Sequence, residues 1–219
     1  MAKGILIAAA DFTGAAEDEF HDWYDLEHIP ERQRVPGFLA CERWIGAHNP
    51  KISVATYELE NVDVLKSPAY RAIGMENLSP WSKRMMTRIK LLMRYEGEQI
   101  LPGDQTAPKE APALLVNAMN VAPEHEHEFT EWYNTEHIPA LAGVPGTLCA
   151  RRYRGSVGLQ PTGLSRGAAQ RYVAIYHLAS PDVPDSAAWK AAANTPWTER
   201  MRPHFRDHLR IVSRRYTRE

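Results

Sequence analysis

Glu19-Phe20-His21-Asp22-Trp23-Tyr24-Asp25-Leu26-Glu27-His28-Ile29-Pro30 returns 109 residues later as Glu128-Phe129-Thr130-Glu131-Trp132-Tyr133-Asn134-Thr135-Glu136-His137-Ile138-Pro139. The shared pattern is Glu-Phe-x-x-Trp-Tyr-x-x-Glu-His-Ile-Pro, and a Val-Pro-Gly turn follows each copy. Of the 26 positions from residue 19 to residue 44, 13 are identical in the second copy. Solenoid repeats have periods of about 20–50 residues, so this spacing indicates two copies of one larger module.

Each copy predicts the order strand, helix, strand, strand, helix, strand. Pro30 and Pro139 are expected to end the first helix of each copy, because proline disfavours helix at the residue before it. In the first copy we predict strands at 4–11, 38–45, 53–58 and 91–95, and helices at 17–28, 62–75 and 79–89. In the second we predict strands at 114–120, 147–154, 172–178 and 209–216, and helices at 126–137 and 195–203. The Gly-rich connection 155–170 is predicted to be mobile.

The βαββαβ order predicts an α+β fold made of two tandem ferredoxin-like modules. Residues 1–100 form the first module, residues 101–112 a linker rich in Pro and Gly, and residues 113–219 the second module. Each four-stranded sheet has helices on one face only. We therefore expect the two bare faces to pack together into a closed or nearly closed barrel, a pseudo-dimer within one chain.

Composition narrows the classes of partner. The net charge is −1, with 44% hydrophobic and 24% charged residues, which is typical of a globular protein and argues against a nucleic-acid partner. No apolar run approaches the length of a membrane span, so no membrane partner is expected and the chain is predicted to be cytoplasmic. Cys41 and Cys149 lie one position apart in register, on opposite strand faces, so neither a disulfide nor a metal site is predicted.

The repeated helix places acidic and imidazole groups on an aromatic face. At 100° per residue, Phe20, Trp23, Tyr24, Glu27 and His28 fall within an arc of about 140°, and the second copy reproduces it. Desolvating such a carboxylate and imidazole costs several kcal/mol unless they are partnered, and burial shifts their pKa values. This is how proteins make general acids and bases.

The predicted catalytic residues are His28, His137, Tyr24 and Tyr133. Histidine would move the proton and tyrosine would donate to a substrate oxygen. The predicted substrate-binding residues are Glu27, Glu136, Arg43, Arg152, Trp23 and Trp132. The arginines could grip a carboxylate in a bidentate fork or pair with Glu27 and Glu136. Structural interpretations stay open: histidine can cap helix carbonyls, and the tryptophans can be core.

These residues carry a resemblance. The motif, the Pro-Gly turn and the Arg-containing strand that follows resemble the dimeric α/β-barrel superfamily, most closely its EthD and methylmuconolactone-isomerase type. The resemblance covers both halves and implies a fused pseudo-dimer. That superfamily includes muconolactone isomerases, polyketide cyclases, cofactor-free monooxygenases and haem-binding branches. In the isomerase branch a histidine at the end of the first helix shuttles protons, which implies that role for His28 and His137.

We therefore expect a cofactor-independent enzyme that acts by proton transfer, as an isomerase, lyase or cyclase, on a small aromatic-derived or lactone-like acid. The alternatives are a haem- or small-ligand-binding protein with histidine as axial ligand, and a non-catalytic binding module. A further homodimer is possible. The copies differ just after the histidine, with Glu-Arg-Gln-Arg at residues 31–34 and Ala-Leu-Ala-Gly at residues 140–143. The two pockets are thus expected to be unequal.

Overall fold

Eight antiparallel strands close into a barrel with helices on its outside. A computed structural model describes residues 2–155 and 170–218. The strands are β1 (Gly4–Asp11), β2 (Phe38–Gly46), β3 (Ile52–Leu59), β4 (Lys90–Leu101), β5 (Ala113–Val121), β6 (Thr147–Gly155), β7 (Tyr172–Leu178) and β8 (Phe205–Arg215). Their order around the barrel is β1-β3-β2-β8-β5-β7-β6-β4. Each half of the chain therefore supplies four adjacent strands. Residues 156–169, within the connection predicted to be mobile, lie outside the described residues.

The repeated helix is longer than predicted. In the first half it is α1, with contiguous stretches Glu17–Asp22, Trp23–His28 and Ile29–Gln33; in the second it is α4, with Glu126–Trp132, Tyr133–His137 and Ile138–Ala142. The middle stretch of each is π-helical, and the N–H of Ile29 bonds to the carbonyl of Tyr24, five residues back. The predicted stop at Pro30 is wrong. The wider π turn takes up the clash that a proline ring makes with the carbonyl four residues earlier in an α-helix, so the helix continues.

The remaining helices are short and begin at hydroxyl caps. They are α2 (Pro68–Arg71), α3 (Pro80–Arg88), α5 (Ala187–Ala193) and α6 (Pro196–Met201), with 3-10 turns at Val62–Lys66, Met75–Asn77, Pro123–His125, Val183–Asp185 and Arg202–His204. Ser67 caps α2, so the single helix predicted at 62–75 is broken into pieces there. Ser79 and Thr195 cap α3 and α6 as predicted. β4 runs on to Leu101, well past the predicted 91–95.

The apolar side chains form three clusters. One fills the barrel interior, and one lies between the barrel and the helices of each half. Strand alternation sets this division: in β1, Ile5 and Ile7 belong to the interior cluster, whereas Leu6 packs under α1. Inside the barrel, Glu58 accepts two 2.8 Å bonds from Arg151 of the other half. The helices of each half therefore cover the outer face of the barrel, and pockets can form between the helices and that face.

Both Val-Pro-Gly turns place glycine in the left-handed region. Gly37 has φ 93° and Gly146 has φ 91°. A side chain with a Cβ rarely adopts this conformation, which explains why both copies end the turn in glycine. Within the described residues, none of the helices combines the length and apolarity that a membrane crossing requires.

Candidate functional site

A cavity of about 300 Å³ lies in the second half, between the helices and the outer face of the barrel. Its apolar lining includes Leu115, Met119, Leu141, Trp189 and Phe205. Its polar lining includes Asn117, Tyr133, His137, Tyr176, His208 and Arg210. The last turn of α4, the start of β8 and the two short helices thus enclose an aromatic cavity, with exposed polar side chains at its mouth.

Three of the predicted site residues meet in this cavity: Trp132, Tyr133 and His137. The His137 ring centroid lies 4.4 Å from that of Trp132 and 5.1 Å from that of Tyr133. All three are buried, since His137 is 7% exposed and the other two less. The π turn from Tyr133 to His137 sets the spacing of these two residues on one side of the helix. Such turns are frequent at functional sites.

Several buried polar atoms in this cavity have no hydrogen-bond partner among the described residues. They are His137 Nδ1, Trp132 Nε1 and the Tyr176 hydroxyl. An unpaired buried polar group costs about 1–3 kcal/mol, so such groups are uncommon in structural sites. In the second half these atoms converge on one cavity that has room for water or a small ligand, and their first-half counterparts, His28 Nδ1 and the Tyr57 hydroxyl, likewise have no partner among the described residues.

Burial fixes the protonation states of the two central residues. It lowers the pKa of His137 to about 4. It raises the pKa of Tyr133 to about 12, against the opposing influence of the Arg152 charge and of a hydrogen bond from Asn117. At neutral pH the site therefore presents an unprotonated imidazole beside a protonated phenol. The first can accept a proton and the second can donate a hydrogen bond.

The two repeated glutamates fasten helices together. Glu27 Oε1 accepts from the hydroxyls of Ser79 at 2.5 Å and Ser82 at 3.0 Å, while Trp23 donates to Ser82 at 2.9 Å. Glu136 Oε1 accepts from the hydroxyl of Thr195 at 2.5 Å. Each glutamate thus ties the long helix to the N-cap of α3 or α6. These contacts account for the glutamates structurally, and their predicted substrate-binding role stays a prediction.

The repeated arginines, Arg43 and Arg152, do not pair with Glu27 and Glu136, which is the alternative raised by the sequence. Arg43 donates to Asp25 at 2.6 Å and lies 2.8 Å from His21 Nδ1, so its partner is not Glu27. It borders an open groove of about 500 Å³ beside α1, and a role in gripping a carboxylate there stays a prediction. At 100° per residue Asp25 falls outside the aromatic arc, so the spacing does not single it out as the partner of Arg43.

Arg152, the counterpart of Arg43, is fully buried without an acidic partner among the described residues. It donates to the side-chain oxygen of Asn134 at 2.8 Å, and its guanidinium lies 4.8 Å from the ring centroids of Tyr133 and Tyr172. Burial lowers the pKa of Arg152 from its ordinary value. This arginine therefore packs against the aromatic rings behind the cavity, and it does not line the cavity itself.

In the first half, a charged side chain occupies the position that opens the cavity in the second. Arg32, which replaces Leu141, is 4% exposed and donates to Glu31 at 2.8 Å and to the His28 carbonyl at 3.2 Å. Burial lowers the pKa of His28 well below its usual value, and the neighbouring Arg32 charge lowers it further. The predicted residues Trp23, Tyr24 and His28 do meet here, with ring centroids 4.4–5.2 Å apart.

Asn117 and His208 are two of the cavity residues that the sequence-based predictions do not include. Asn117 lies mid-strand in the otherwise apolar run 113–119, at the position that Ala8 holds in the first copy. This polar residue in place of an apolar one is the sequence signal that distinguishes Asn117. His208 reaches Asn117 only through the pairing of β5 with β8, which joins residues 91 positions apart. No local spacing encodes that contact.

Comparison with known proteins gives a structural likeness. The chain matches no protein-family model and no curated protein. An anthrone oxidase-like protein superposes with a TM-score of 0.64 and 13% identity, over 98% of this chain and 92% of the other. A variant chlorite dismutase from Candidatus Nitrospira defluvii, in complex with cyanide, superposes with a TM-score of 0.60 and 11% identity, over 98% of this chain and 91% of the other. A proposed monooxygenase from Fusobacterium nucleatum subsp. nucleatum superposes with a TM-score of 0.59 and 11% identity, over 99% of this chain and 94% of the other.

The chain has a dimeric α/β-barrel-like fold. The likeness extends over nearly the whole of both chains in each comparison, and the closed eight-stranded barrel accounts for it. At these identities it carries the fold alone. Function must be argued from the cavity.

Proposed function

We propose that the second-half cavity binds a small planar ligand bearing a carbonyl or phenol oxygen, and that His137 transfers a proton to or from it. The observation that carries this proposal is the unprotonated, unpartnered imidazole of His137 beside the protonated phenol of Tyr133, in a cavity with aromatic walls. A volume of about 300 Å³ falls at the lower end of small-molecule pockets.

The chemistry is abstraction of a proton from carbon next to a carbonyl. The imidazole takes the proton, the bonding electrons move to the carbonyl oxygen, and Tyr133 donates a hydrogen bond to the oxygen as its charge develops. The enolate forms beside His137, so its charge raises the affinity of the imidazole for the proton. Return of the proton to another atom gives isomerisation, and cyclisation or reaction with O₂ can follow the same first step.

The proposed substrate is a small aromatic-derived or lactone-like acid. Arg202 and Arg210 lie at the exposed mouth of the cavity and suit an anionic substituent. We also propose that the chain is a fused pseudo-dimer of ferredoxin-like modules of the EthD type, with one working cavity, in the second half. Anthrone, after which one structural neighbour is described, carries the required carbonyl and acidic C–H.

Hydrogen–deuterium exchange at the acidic carbon of anthrone tests the proton transfer without requiring a later step. His137→Gln should slow exchange by about 10²–10⁴-fold. His28→Gln, the same change in the first half, is the matched control and should leave the rate near that of the wild type. Full activity of His137→Gln, or equal loss in both variants, would contradict the proposal. Binding of anthrone by the wild type without exchange would favour a non-catalytic binding module.

A haem-binding role is the second candidate, favoured by the chlorite dismutase among the structural neighbours. His137 would be the axial ligand. Axial histidines usually donate their second ring N–H to an acceptor, whereas Nδ1 of His137 has none among the described residues. These residues therefore fit a small organic ligand better. Addition of haem decides: a Soret band that His137→Gln abolishes and His28→Gln retains would favour haem.

A further inference from the structure

We infer that Asn117 and His208 form a positioning pair that leaves the Tyr133 hydroxyl free to donate only to a ligand oxygen. This inference rests on the proposed function, since it concerns how the same cavity recognises an oxyanion. Neither residue belongs to the repeated helix. Both contribute from the barrel wall opposite His137 and Tyr133.

The hydrogen bonds set the direction of each donor. His208 Nε2 lies 2.6 Å from Asn117 Oδ1, and because an amide oxygen only accepts, the imidazole nitrogen carries the hydrogen. The amide nitrogen of Asn117 is thereby turned toward Tyr133 and donates to its hydroxyl oxygen at 3.3 Å. Tyr133 accepts at this bond, so its own hydrogen must point elsewhere.

That hydrogen has no acceptor among the described residues. Tyr133 is 2% exposed, and its side chain lines the cavity. A buried O–H donor gains a partner when a ligand oxygen enters, and its bond to a charged oxygen is stronger than its bond to a neutral one. The pair thus favours the anionic form of a phenol or enol over its neutral form.

The first half provides an internal comparison. Asn117 pairs with Ala174 and Arg210, and Ala8 pairs with Ala55 and Arg94 at the same place in the first half. By the same register, Leu92 is the first-half counterpart of His208. Both members of the pair therefore have apolar counterparts, Ala8 and Leu92, in the half that carries the buried Arg32. The pair accompanies the cavity and is not part of the shared scaffold.

The test is a double-mutant cycle with 4-nitrophenol as the probe, because its absorbance distinguishes bound phenol from bound phenolate. Asn117→Asp supplies an acceptor that captures the Tyr133 hydrogen, and Tyr133→Phe removes that hydrogen. Each variant should weaken phenolate binding about tenfold or more, and the double variant should lose clearly less than the product of the two single factors, because both changes act through the same hydrogen. Asn194→Asp places the same charge at the cavity without touching Tyr133, so its effect should add to that of Tyr133→Phe.

The remaining outcomes separate the two proposals. Additive losses for Asn117→Asp and Tyr133→Phe would overturn the positioning role, as would a wild-type protein that does not bind 4-nitrophenolate. If this happened while anthrone exchange still depended on His137, the proposed function would stand without the pair. Coupled losses together with full exchange in His137→Gln would instead keep the pair and remove the proposed proton transfer. Asn117→Ala introduces the residue that the first half has at this position. It should weaken binding less than Asn117→Asp, because it introduces no competing acceptor.

Discussion

Each half carries its own copy of the aromatic helix, but the residues beside the histidine differ between the two halves. In the first half, Arg32 is buried beside His28 and paired with Glu31; in the second, Leu141 follows Ala140 and leaves an open cavity beside His137. The Trp-Tyr-Glu-His motif is common to both. It therefore belongs to the helix and its packing in both halves, whereas the positions one turn later differ between them.

The arginine on the strand after the helix supports the same distinction. Arg43 has a carboxylate partner in Asp25, and Arg152 has only the amide of Asn134. Both guanidinium groups nevertheless lie over the corresponding tyrosine ring, 4.4 Å from Tyr24 in the first half and 4.8 Å from Tyr133 in the second. Stacking is what the repeat preserves, and the local charge balance is free to change.

Leu141→Arg, which places the first-half residue in the second half, should have the largest effect. The guanidinium would occupy the cavity without the partner that Glu31 gives Arg32, and an uncompensated buried charge costs about 3–5 kcal/mol. We expect that loss in the free energy of unfolding, measured by urea denaturation, and no detectable binding of 4-nitrophenol.

Ala140→Glu combined with Leu141→Arg is the matched control. It restores the neighbouring carboxylate, so part of the lost stability should return while the cavity stays filled and binding stays absent. Binding by either variant would show that the ligand enters elsewhere, and the contrast between the halves would no longer rest on this position.

Much of the fold could be predicted from the sequence, because it depends on local patterns. The apolar alternation of β1, the glycine turns at Gly37 and Gly146, and the Ser79 and Thr195 caps are each encoded within a few residues. The helical spacing also predicts the histidine-bearing aromatic face, and in the second half Trp132, Tyr133 and His137 of that face line a cavity.

The rest depends on features that periodicity does not encode. A π turn replaces the α-helical pitch between Trp23 and His28, so the helix passes through Pro30. Burial of Arg32 depends on packing against the barrel. The contact of Asn117 with His208 depends on strand register across 91 positions.

Acid should destabilise the protein through His137, an effect of intermediate size. The unfolded chain binds a proton near the ordinary pKa of 6.5, whereas burial lowers the pKa of folded His137 to about 4. Between these values the unfolded state holds more protons, so stability is lost as the pH falls through this window, by on the order of 3 kcal/mol in total. His137→Gln should remove this share of the pH dependence of the unfolding free energy, and His48→Gln, on an exposed turn, is the control. An unchanged pH profile in His137→Gln would show that the imidazole is solvated in the folded state.

The smallest expected difference concerns the two glutamates. Glu27 accepts hydrogen bonds from two serine hydroxyls, one of which also accepts from Trp23, whereas Glu136 accepts from the hydroxyl of Thr195. Glu27→Ala should therefore cost about 2 kcal/mol of unfolding free energy and Glu136→Ala about 1 kcal/mol. Since Glu136 fastens α4 to the cap of α6 and is absent from the cavity lining among the described residues, Glu136→Ala should keep its affinity for 4-nitrophenol. A loss of affinity much larger than the loss of stability would instead support the substrate-binding role predicted for Glu136 from the repeat, and would make the two halves differ in the use of their glutamates as well as in their cavities.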